Sequence, residues 1–218
     1  MRQFGWLCIF FVFLVSGIPA DAAEGEWVLK KDEEGIKVYT RTVEGSDANE
    51  FQGIADIDAP LDVILEVFKD IPSFPQWYGF CKDIRQLKQD TETHRVIYFV
   101  LETPWPVKDR DMVIDVVEDV DKQAGKALIT MNVSSEDLVP PQKDYVRMTV
   151  VKGMSVLDRA GDDKTRVVYT VLADPAGYIP AAISNMLQKE QPFLTLKGLR
   201  EMVKKDIYYE KAGIVGKN

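Results

Sequence analysis

The chain has few of the residues on which catalytic and metal sites usually depend. Its 218 residues include one histidine, His94, and two cysteines, Cys8 and Cys81. A metal site built from histidine and cysteine ligands is therefore excluded. The H-E-x-x-H, G-x-S-x-G and phosphate-loop patterns are also absent, which removes the commonest metalloprotease, hydrolase and nucleotide-binding signatures. We expect no metal, no cofactor and no catalytic residue.

Positive charge is scarce as well. Lysine and arginine number 27 against 35 acidic residues, the net charge is −8, and no basic block or basic helix face occurs. This argues against nucleic acid as a partner and against electrostatic docking on anionic lipid. A chain that is 46% hydrophobic and 28% charged is typical of one globular domain with a substantial core. We expect it to be a monomer.

A short apolar run lies near the N-terminus. Leu7–Val15 follows the positively charged Arg2 and precedes the small-x-small pattern Ala20-Asp21-Ala22. The run is too short for a comfortable membrane span and is typical of a signal peptide. We therefore predict a signal peptide at residues 1–22, a mature domain at residues 23–218, and export to the periplasm or the outside of the cell. An uncleaved membrane anchor is the alternative.

Alternating apolar residues predict a chain rich in β-strands. Turn-rich connections between successive strands favour an antiparallel meander. Some strands, such as Val96–Leu101, are apolar on both faces, so that one face lines a cavity while the other packs under a helix, or both belong to an ordinary core. The predicted strands are Ile36–Val43, Asn49–Ile57, Arg95–Glu102, Asp111–Val120, Lys126–Val133, Tyr145–Lys152, Ser155–Arg159 and Arg166–Ala173.

Two helices are predicted. The first follows Asp58-Ala59-Pro60, where Asp58 is expected to cap the helix and Pro60 suits its first turn. The last begins at Pro180 and runs to about Lys205 with Pro192 inside it. An internal proline costs roughly 3 kcal/mol in a regular helix, so we expect a kink or a break with restart at Gln188–Pro192. Such a feature either follows the curve of a sheet or acts as a hinge.

The segment Thr103–Val113, TPWPVKDRDMV, is the most distinctive part of the sequence. Pro104 and Pro106 stiffen a loop that holds Trp105 at its centre. Four charged residues then lead into a strand-like alternation. One interpretation is a rigid structural loop closed by an Arg–Asp pair, and the other is a lid over a binding site.

Several segments occur together in a recognisable order. GIKVYTR at Gly35–Arg41 and PSFPQWYGFCKD at Pro72–Asp83 precede the proline-tryptophan loop, and GYIPAAISNMLQKEQPFLTLKGLREMV at Gly177–Val203 follows it. From about Trp27 to Lys205, this arrangement resembles the START domain family of lipid-transfer proteins, as an exported bacterial member. The resemblance implies an α+β helix-grip fold, in which a curved antiparallel β-sheet wraps around a long C-terminal helix with a lipid-sized tunnel between them.

The resemblance also implies a function, which is binding and transfer of one hydrophobic small molecule or lipid with transient membrane contact. Arg110 and Asp111 match the family's RD pair, and we expect them to anchor the loop. The tunnel wall is expected to include Tyr98, Met112, Ile114, Met131, Met148 and Tyr169. The lid is expected to include Trp105 and a helix face formed by Ile183, Met186, Leu187 and Leu194.

Two points leave the ligand and the chemistry open. Sterol-binding family members carry a buried arginine six residues beyond the motif arginine, and the corresponding residue here is Val116. The polar clamp for a sterol hydroxyl is therefore missing at this position. The same fold also occurs in polyketide cyclases and plant alkaloid synthases, so a cyclase-like or other enzyme that uses the cavity is the alternative function.

Overall fold

A ten-stranded sheet and three α-helices make up the parts of the chain that the structure, a computed structural model, describes, residues 25–46 and 48–214. The predicted signal peptide and its cleavage site lie outside these residues. The helices are α1 Leu61–Lys69, α2 Ala181–Met202 and α3 Asp206–Lys211, and a 3₁₀ helix spans Ile71–Gln76. The strands are β1 Val28–Glu33, β2 Ile36–Thr42, β3 Asn49–Ile57, β4 Cys81–Gln89, β5 His94–Leu101, β6 Arg110–Asp121, β7 Lys126–Val133, β8 Val146–Arg147, β9 Val150–Gly161 and β10 Lys164–Asp174.

The sheet is antiparallel along its whole path. Its strand order is β1-β2-β3-β10-β9-β7-β6-β5-β4, and the two-residue strand β8 pairs with β6 in parallel. The long helix α2 packs against β2 and β3 on one face of the sheet. The α+β architecture expected from the sequence, an antiparallel sheet with a long C-terminal helix packed on it, is confirmed. None of the described helices is long and apolar enough to cross a membrane.

The strand predictions need correction at β8 and β9 and at both edges of the sheet. The expected strand Tyr145–Lys152 is divided between β8 and the start of β9. Strand β9 then continues through the expected strand Ser155–Arg159, with Gly153 inside it. A Cβ atom at Gly153 would lie 2.7 Å from the Met131 Cε atom, so glycine permits close packing at this position. Strands β1 and β4 are missing from the prediction because both are edge strands whose pairing contains register shifts, one in β1 and two in β4. Such bulges disturb the period-two alternation by which a strand is recognised.

Helix α1 forms where expected, but its start differs. Its first turn is preceded by Pro60, and no side chain caps it. Asp58 instead lies on the surface, 3.5 Å from the Lys164 ammonium group. The buried face of α1 includes Leu61, Ile64, Leu65 and Phe68, the four residues whose helical spacing predicts that face.

Helix α2 continues through Pro192 without interruption, so the expected break with restart does not occur. Its two halves differ in burial. Residues 181–190 are half-buried or exposed, whereas the buried residues of α2 begin at Gln191. A Cβ atom at Gly198 would lie 2.2 Å from the Trp77 carbonyl oxygen, and one at Gly53 of β3 would lie 2.8 Å from the Leu196 side chain. The C-terminal half is therefore held closely on two sides.

Candidate ligand-binding cavity

An internal cavity of about 120 Å³ lies between α2 and the inner face of the sheet. Its wall is assembled from six strands of the sheet, β3, β5, β6, β7, β9 and β10, and from α2. Residues before β4, between β8 and β9, and after β10 complete it. None of the lining residues carries a charged side chain. The lining residues are Phe51, Phe74, Tyr78, Ile97, Phe99, Leu101, Met112, Ile114, Met131, Met148, Val151, Tyr169, Val171, Ala173, Pro175, Ile179, Ser184, Leu187, Gln188 and Gln191.

Strand pairing explains how the wall on the β5–β6 side is built. Ile97 of β5 is directly opposite Ile114 of β6, and Phe99 is opposite Met112. Directly paired residues of antiparallel strands point to the same face of a sheet, so all four side chains reach the cavity. Five of the six side chains expected in the wall lie there, namely Met112, Ile114, Met131, Met148 and Tyr169.

Tyr98, the sixth expected wall residue, lies on the opposite face of the sheet. Its hydroxyl group donates a hydrogen bond to Asp111 Oδ2 at 3.0 Å, and the Arg85 guanidinium lies 4.8 Å from its ring centroid. It packs in a small outer cluster with residues such as Val113 of β6 and Val139 of the segment after β7. The outer face of β5 is thus covered by a loop and not by a helix, and Tyr98 is not part of the cavity wall.

The helix face differs from the expected one. Of the four apolar residues assigned to it, Leu187 lines the cavity, whereas Ile183, Met186 and Leu194 do not. Met186 borders a separate polar groove, and Leu194 is 38% exposed. Two polar residues, Gln191 and Thr195, occupy the buried side instead. An apolar stripe does not reveal this arrangement, because Gln191 Nε2 and the Thr195 hydroxyl are buried through hydrogen bonds and not through apolar contacts.

A cluster of four polar side chains lies at the cavity, and we refer to Tyr78, Tyr169, Gln191 and Thr195 as the polar cluster. The hydroxyl oxygens of Tyr78 and Tyr169 are 2.5 Å apart. Gln191 Nε2 donates to the Tyr169 hydroxyl at 3.1 Å and to Thr195 Oγ1 at 3.2 Å. The Gly79 backbone N–H also donates to Thr195 Oγ1, at 3.0 Å. Burial raises the pKa of Tyr169 to about 12 and the pKa of Tyr78 well above its ordinary value, so both phenols are neutral at physiological pH.

The proline-tryptophan loop is fixed at its base. The Thr103 backbone N–H donates to Asp109 Oδ1 at 2.8 Å, and the Thr103 hydroxyl donates to the Lys108 carbonyl at 2.8 Å. Lys82 forms an ion pair with Asp109 at 2.6 Å. These contacts fix the two ends of the loop to each other.

Arg110 joins this loop to the segment that leads into α2. Its guanidinium donates to the carbonyl oxygens of Lys108, of Pro175 at 3.0 Å and of Ala176 at 3.1 Å. The residue is 1% exposed, and burial lowers the pKa of its guanidinium. Because three carbonyl groups surround it, Arg110 connects two loops beside the cavity. Its role as an anchor of the proline-tryptophan loop stays a prediction.

Asp111 points to the other face and makes a separate anchor. It is fully buried and accepts hydrogen bonds from Arg147 Nε at 3.1 Å, from Arg147 Nη2 at 2.8 Å and from Tyr98. The expected Arg–Asp pair within the loop is therefore not formed, because adjacent residues of a strand point to opposite faces. The ion pair between Asp111 of β6 and Arg147 of β8 fastens these two strands to each other instead.

Trp105 does not cover the cavity. Its side chain is 91% exposed at the tip of the loop, and the Trp105–Pro106 peptide bond is cis. Tyr178, in the segment that Arg110 joins to this loop, is 86% exposed. Two large aromatic side chains thus extend into solvent from the two loops that Arg110 holds together. Prolines indicate the stiffness of such a loop, but they do not indicate the direction in which its tip points.

The sheet, the helix and the uncharged cavity together define an α+β domain that encloses a site for a hydrophobic ligand. The START domain family matches residues 19–206, and the chain belongs to this family. START domains bind hydrophobic lipids, so binding of a hydrophobic ligand follows for this chain.

Relatives from bacteria and animals have similar sequences and structures. The uncharacterised protein PA1579 of Pseudomonas aeruginosa is 32% identical over 191 residues, which cover 88% of this chain and 93% of that protein. A STAR-related lipid transfer protein fragment from Xanthomonas axonopodis has a TM-score of 0.73 and 35% identity, over 82% of this chain and 99% of that one. The mouse START domain-containing protein 10 is 26% identical over 86% of this chain, which spans 63% of its length.

Proposed function

We propose that this chain is a carrier that binds one lipid molecule in the cavity, acts as a monomer, and exchanges the lipid at a membrane without chemical change. The observation that carries the proposal is the cavity wall, which is mainly apolar and has no charged side chain. Removing apolar surface from water contributes roughly 25 cal/mol per Å², so burial of an acyl chain supplies most of the affinity. No cofactor is needed for such binding.

Loading a lipid requires the cavity to open. Its volume of about 120 Å³ is below the roughly 300–1,000 Å³ typical of pockets for drug-sized ligands. The N-terminal half of α2 is the element suited to move, because residues 181–190 are half-buried or exposed while the C-terminal half is closely packed. We assign the gate to this half-helix, with its hinge at Gln188–Pro192, and to the loop Thr103–Arg110 that Arg110 joins to the segment before α2.

Membrane contact is assigned to the two exposed aromatic residues beside the gate. Tryptophan and tyrosine side chains favour membrane interfaces, where one end is apolar and the other is wet. Trp105 and Tyr178 meet this description, since both are almost fully exposed on the loops that Arg110 holds together. The net charge of −8 favours a neutral membrane surface over an anionic one.

We also propose that the chain is an exported bacterial protein. The signal-peptide pattern at residues 1–22 motivates the export. The matches in Pseudomonas aeruginosa and Xanthomonas axonopodis support a bacterial source. The mature chain would begin at Ala23 and act in the periplasm or outside the cell.

Replacing Trp105 with Ala is expected to slow lipid transfer to phosphatidylcholine vesicles about tenfold. Burying about one third of an indole of roughly 200 Å² contributes about 1.5 kcal/mol, which corresponds to this factor. The measurement is the rate at which a fluorescent phospholipid passes from the protein to the vesicles. The melting temperature and the affinity for the apolar dye N-phenyl-1-naphthylamine should stay unchanged, because Trp105 lies outside the cavity.

The matched control is Ile207→Ala, which removes another exposed apolar side chain, 47% exposed and located on α3. It should leave the transfer rate unchanged. Equal transfer rates for the wild type and the Trp105→Ala variant would remove Trp105 from the membrane-contact surface. Faster release of the dye from Trp105→Ala would show that this side chain closes the gate, in contrast to its exposed position.

A further inference from the structure

The polar cluster has an unused hydrogen-bond acceptor. Gln191 is 6% exposed, and its hydrogen bonds to the Tyr169 hydroxyl and to Thr195 Oγ1 are both donated by Nε2. Its Oε1 atom is buried and has no hydrogen-bond partner among the described residues. A buried acceptor without a partner is destabilising, and Gln191 lines the cavity. A molecule bound in the cavity can therefore supply the donor that this oxygen lacks.

The cluster also has an unused donor. Tyr78 and Tyr169 carry two phenolic hydrogens, and their mutual hydrogen bond uses one of them. The contact with Gln191 uses none, because there the Tyr169 oxygen accepts. One phenolic hydrogen consequently has no acceptor among the described residues, whichever tyrosine donates to the other. A donor and an acceptor side by side match a hydroxyl group, which both donates and accepts.

The surroundings select against charge. The lining of the cavity holds no acidic or basic side chain, and the two phenols do not ionise at physiological pH. A phosphate, carboxylate or ammonium group placed here would be buried without a counter-charge, which is strongly unfavourable. The polar group that reaches the cluster must be neutral.

We propose that Tyr78, Tyr169 and Gln191 form a subsite for a neutral hydroxyl group on an otherwise apolar ligand. The hydroxyl donates to Gln191 Oε1 and accepts the free phenolic hydrogen, while the apolar part of the ligand lies against the methionines and aliphatic residues of the wall. This inference rests on the proposed carrier function and narrows it to lipids that bear an uncharged hydroxyl, such as long-chain alcohols and acylglycerols.

The test compares two ligands that differ in the hydroxyl hydrogen. Dodecan-1-ol and its methyl ether, 1-methoxydodecane, are titrated against the full chain loaded with N-phenyl-1-naphthylamine, and displacement of the dye is followed by fluorescence. The wild type is expected to bind the alcohol about tenfold more tightly than the ether, a factor that matches one to two neutral hydrogen bonds. In Gln191→Leu and in Tyr169→Phe, the preference should fall to about twofold or less.

Ser184→Ala is the matched control. Ser184 also lines the cavity, but its hydroxyl accepts a hydrogen bond from Gln188 Nε2 at 3.1 Å and lies outside the polar cluster. The tenfold preference for the alcohol should survive in this variant. Binding of the dye to each variant reports that its cavity is intact.

The outcomes separate this subsite from the carrier function. Equal affinities of the wild type for alcohol and ether, with the dye bound, would overturn the subsite and leave the carrier function standing. A preference that persists in both Gln191→Leu and Tyr169→Phe would also overturn it, because a bound water would then satisfy the cluster and another group would recognise the hydroxyl. Failure of the wild type to bind dye, alcohol and ether alike would overturn the carrier function and the subsite together.

Discussion

Replacing Ala173 with Trp is expected to lower the affinity for N-phenyl-1-naphthylamine at least tenfold. Ala173 lies near the end of β10, lines the cavity and is only partly buried. An indole at this position fills space that the ligand needs, and overpacking of this kind costs about 1–3 kcal/mol. The measurement is a fluorescence titration of the variant with the dye, together with its melting temperature.

Leu172→Trp is the control for this variant. Leu172 precedes Ala173 on the same strand and is not part of the cavity lining, because successive side chains of a strand alternate between faces. This variant should bind the dye as the wild type does. Normal dye affinity in the folded Ala173→Trp variant would show that the ligand occupies another part of the molecule.

Replacing Asp111 with Ala is expected to lower the free energy of unfolding by about 3 kcal/mol. The carboxylate is fully buried, and its loss leaves the Arg147 guanidinium and the Tyr98 hydroxyl without their shared acceptor. Breaking a buried ion pair from one side typically costs about 3–5 kcal/mol. The lower end applies here, because the Arg147 side chain is 19% exposed. Urea denaturation gives the change directly.

Two further variants test whether the loss of stability in Asp111→Ala comes from an unpaired buried charge. Asp56→Ala breaks an exposed ion pair with Arg166, whose atoms are 3.5 Å apart, and should cost less than about 1 kcal/mol. The double variant Asp111→Leu with Arg147→Met removes both charges and should recover part of the loss. If Asp111→Ala destabilises the protein no more than Asp56→Ala does, the buried pair is not a stabilising anchor of the loop.

Much of the fold follows from local patterns. Strands such as β3 and β6 alternate clearly, and the long last helix has a recognisable start at Pro180, so both could be predicted. The edge strand β4 could not, because its bulges and its exposure disrupt the alternation. Gly153 separates two predicted strands in the sequence, whereas in the structure it lies within β9 and leaves room for the Met131 side chain. That role depends on a neighbouring strand that is distant in the sequence.

The candidate site could be predicted only in part. Met112, Ile114, Met131, Met148 and Tyr169 lie in the cavity wall, but their contact with a ligand is still a prediction. The sequence does not show which face of β5 carries Tyr98, because β5 is apolar on both faces. The pairing of Phe99 with Met112 distinguishes the two faces. Phe51, Ile97 and Val171 also line the cavity. Strand pairing identifies them, because Ile97 is opposite Ile114 and Phe51 is opposite Val171.

The polar part of the site has no signal in the sequence. Gln191 and Tyr78 do not belong to an apolar pattern, and nothing in their neighbours shows that they meet Tyr169 across the cavity. Hydrophobicity predicts that Leu194 lies on the buried helix face, although Thr195 is the buried residue there. In both cases, hydrogen bonds to residues that are distant in the sequence determine which side chains are buried at the cavity. The spacing of apolar residues does not reveal such bonds.

Native mass spectrometry of the protein purified from the exported fraction tests the carrier function most directly. The predicted spectrum shows a chain that begins at Ala23 and holds one apolar molecule, which denaturing extraction releases at about one per chain. Fragmentation of that molecule should show an uncharged hydroxyl. A chain without any bound molecule, which also takes up no fluorescent lipid or N-phenyl-1-naphthylamine, would contradict the proposed carrier.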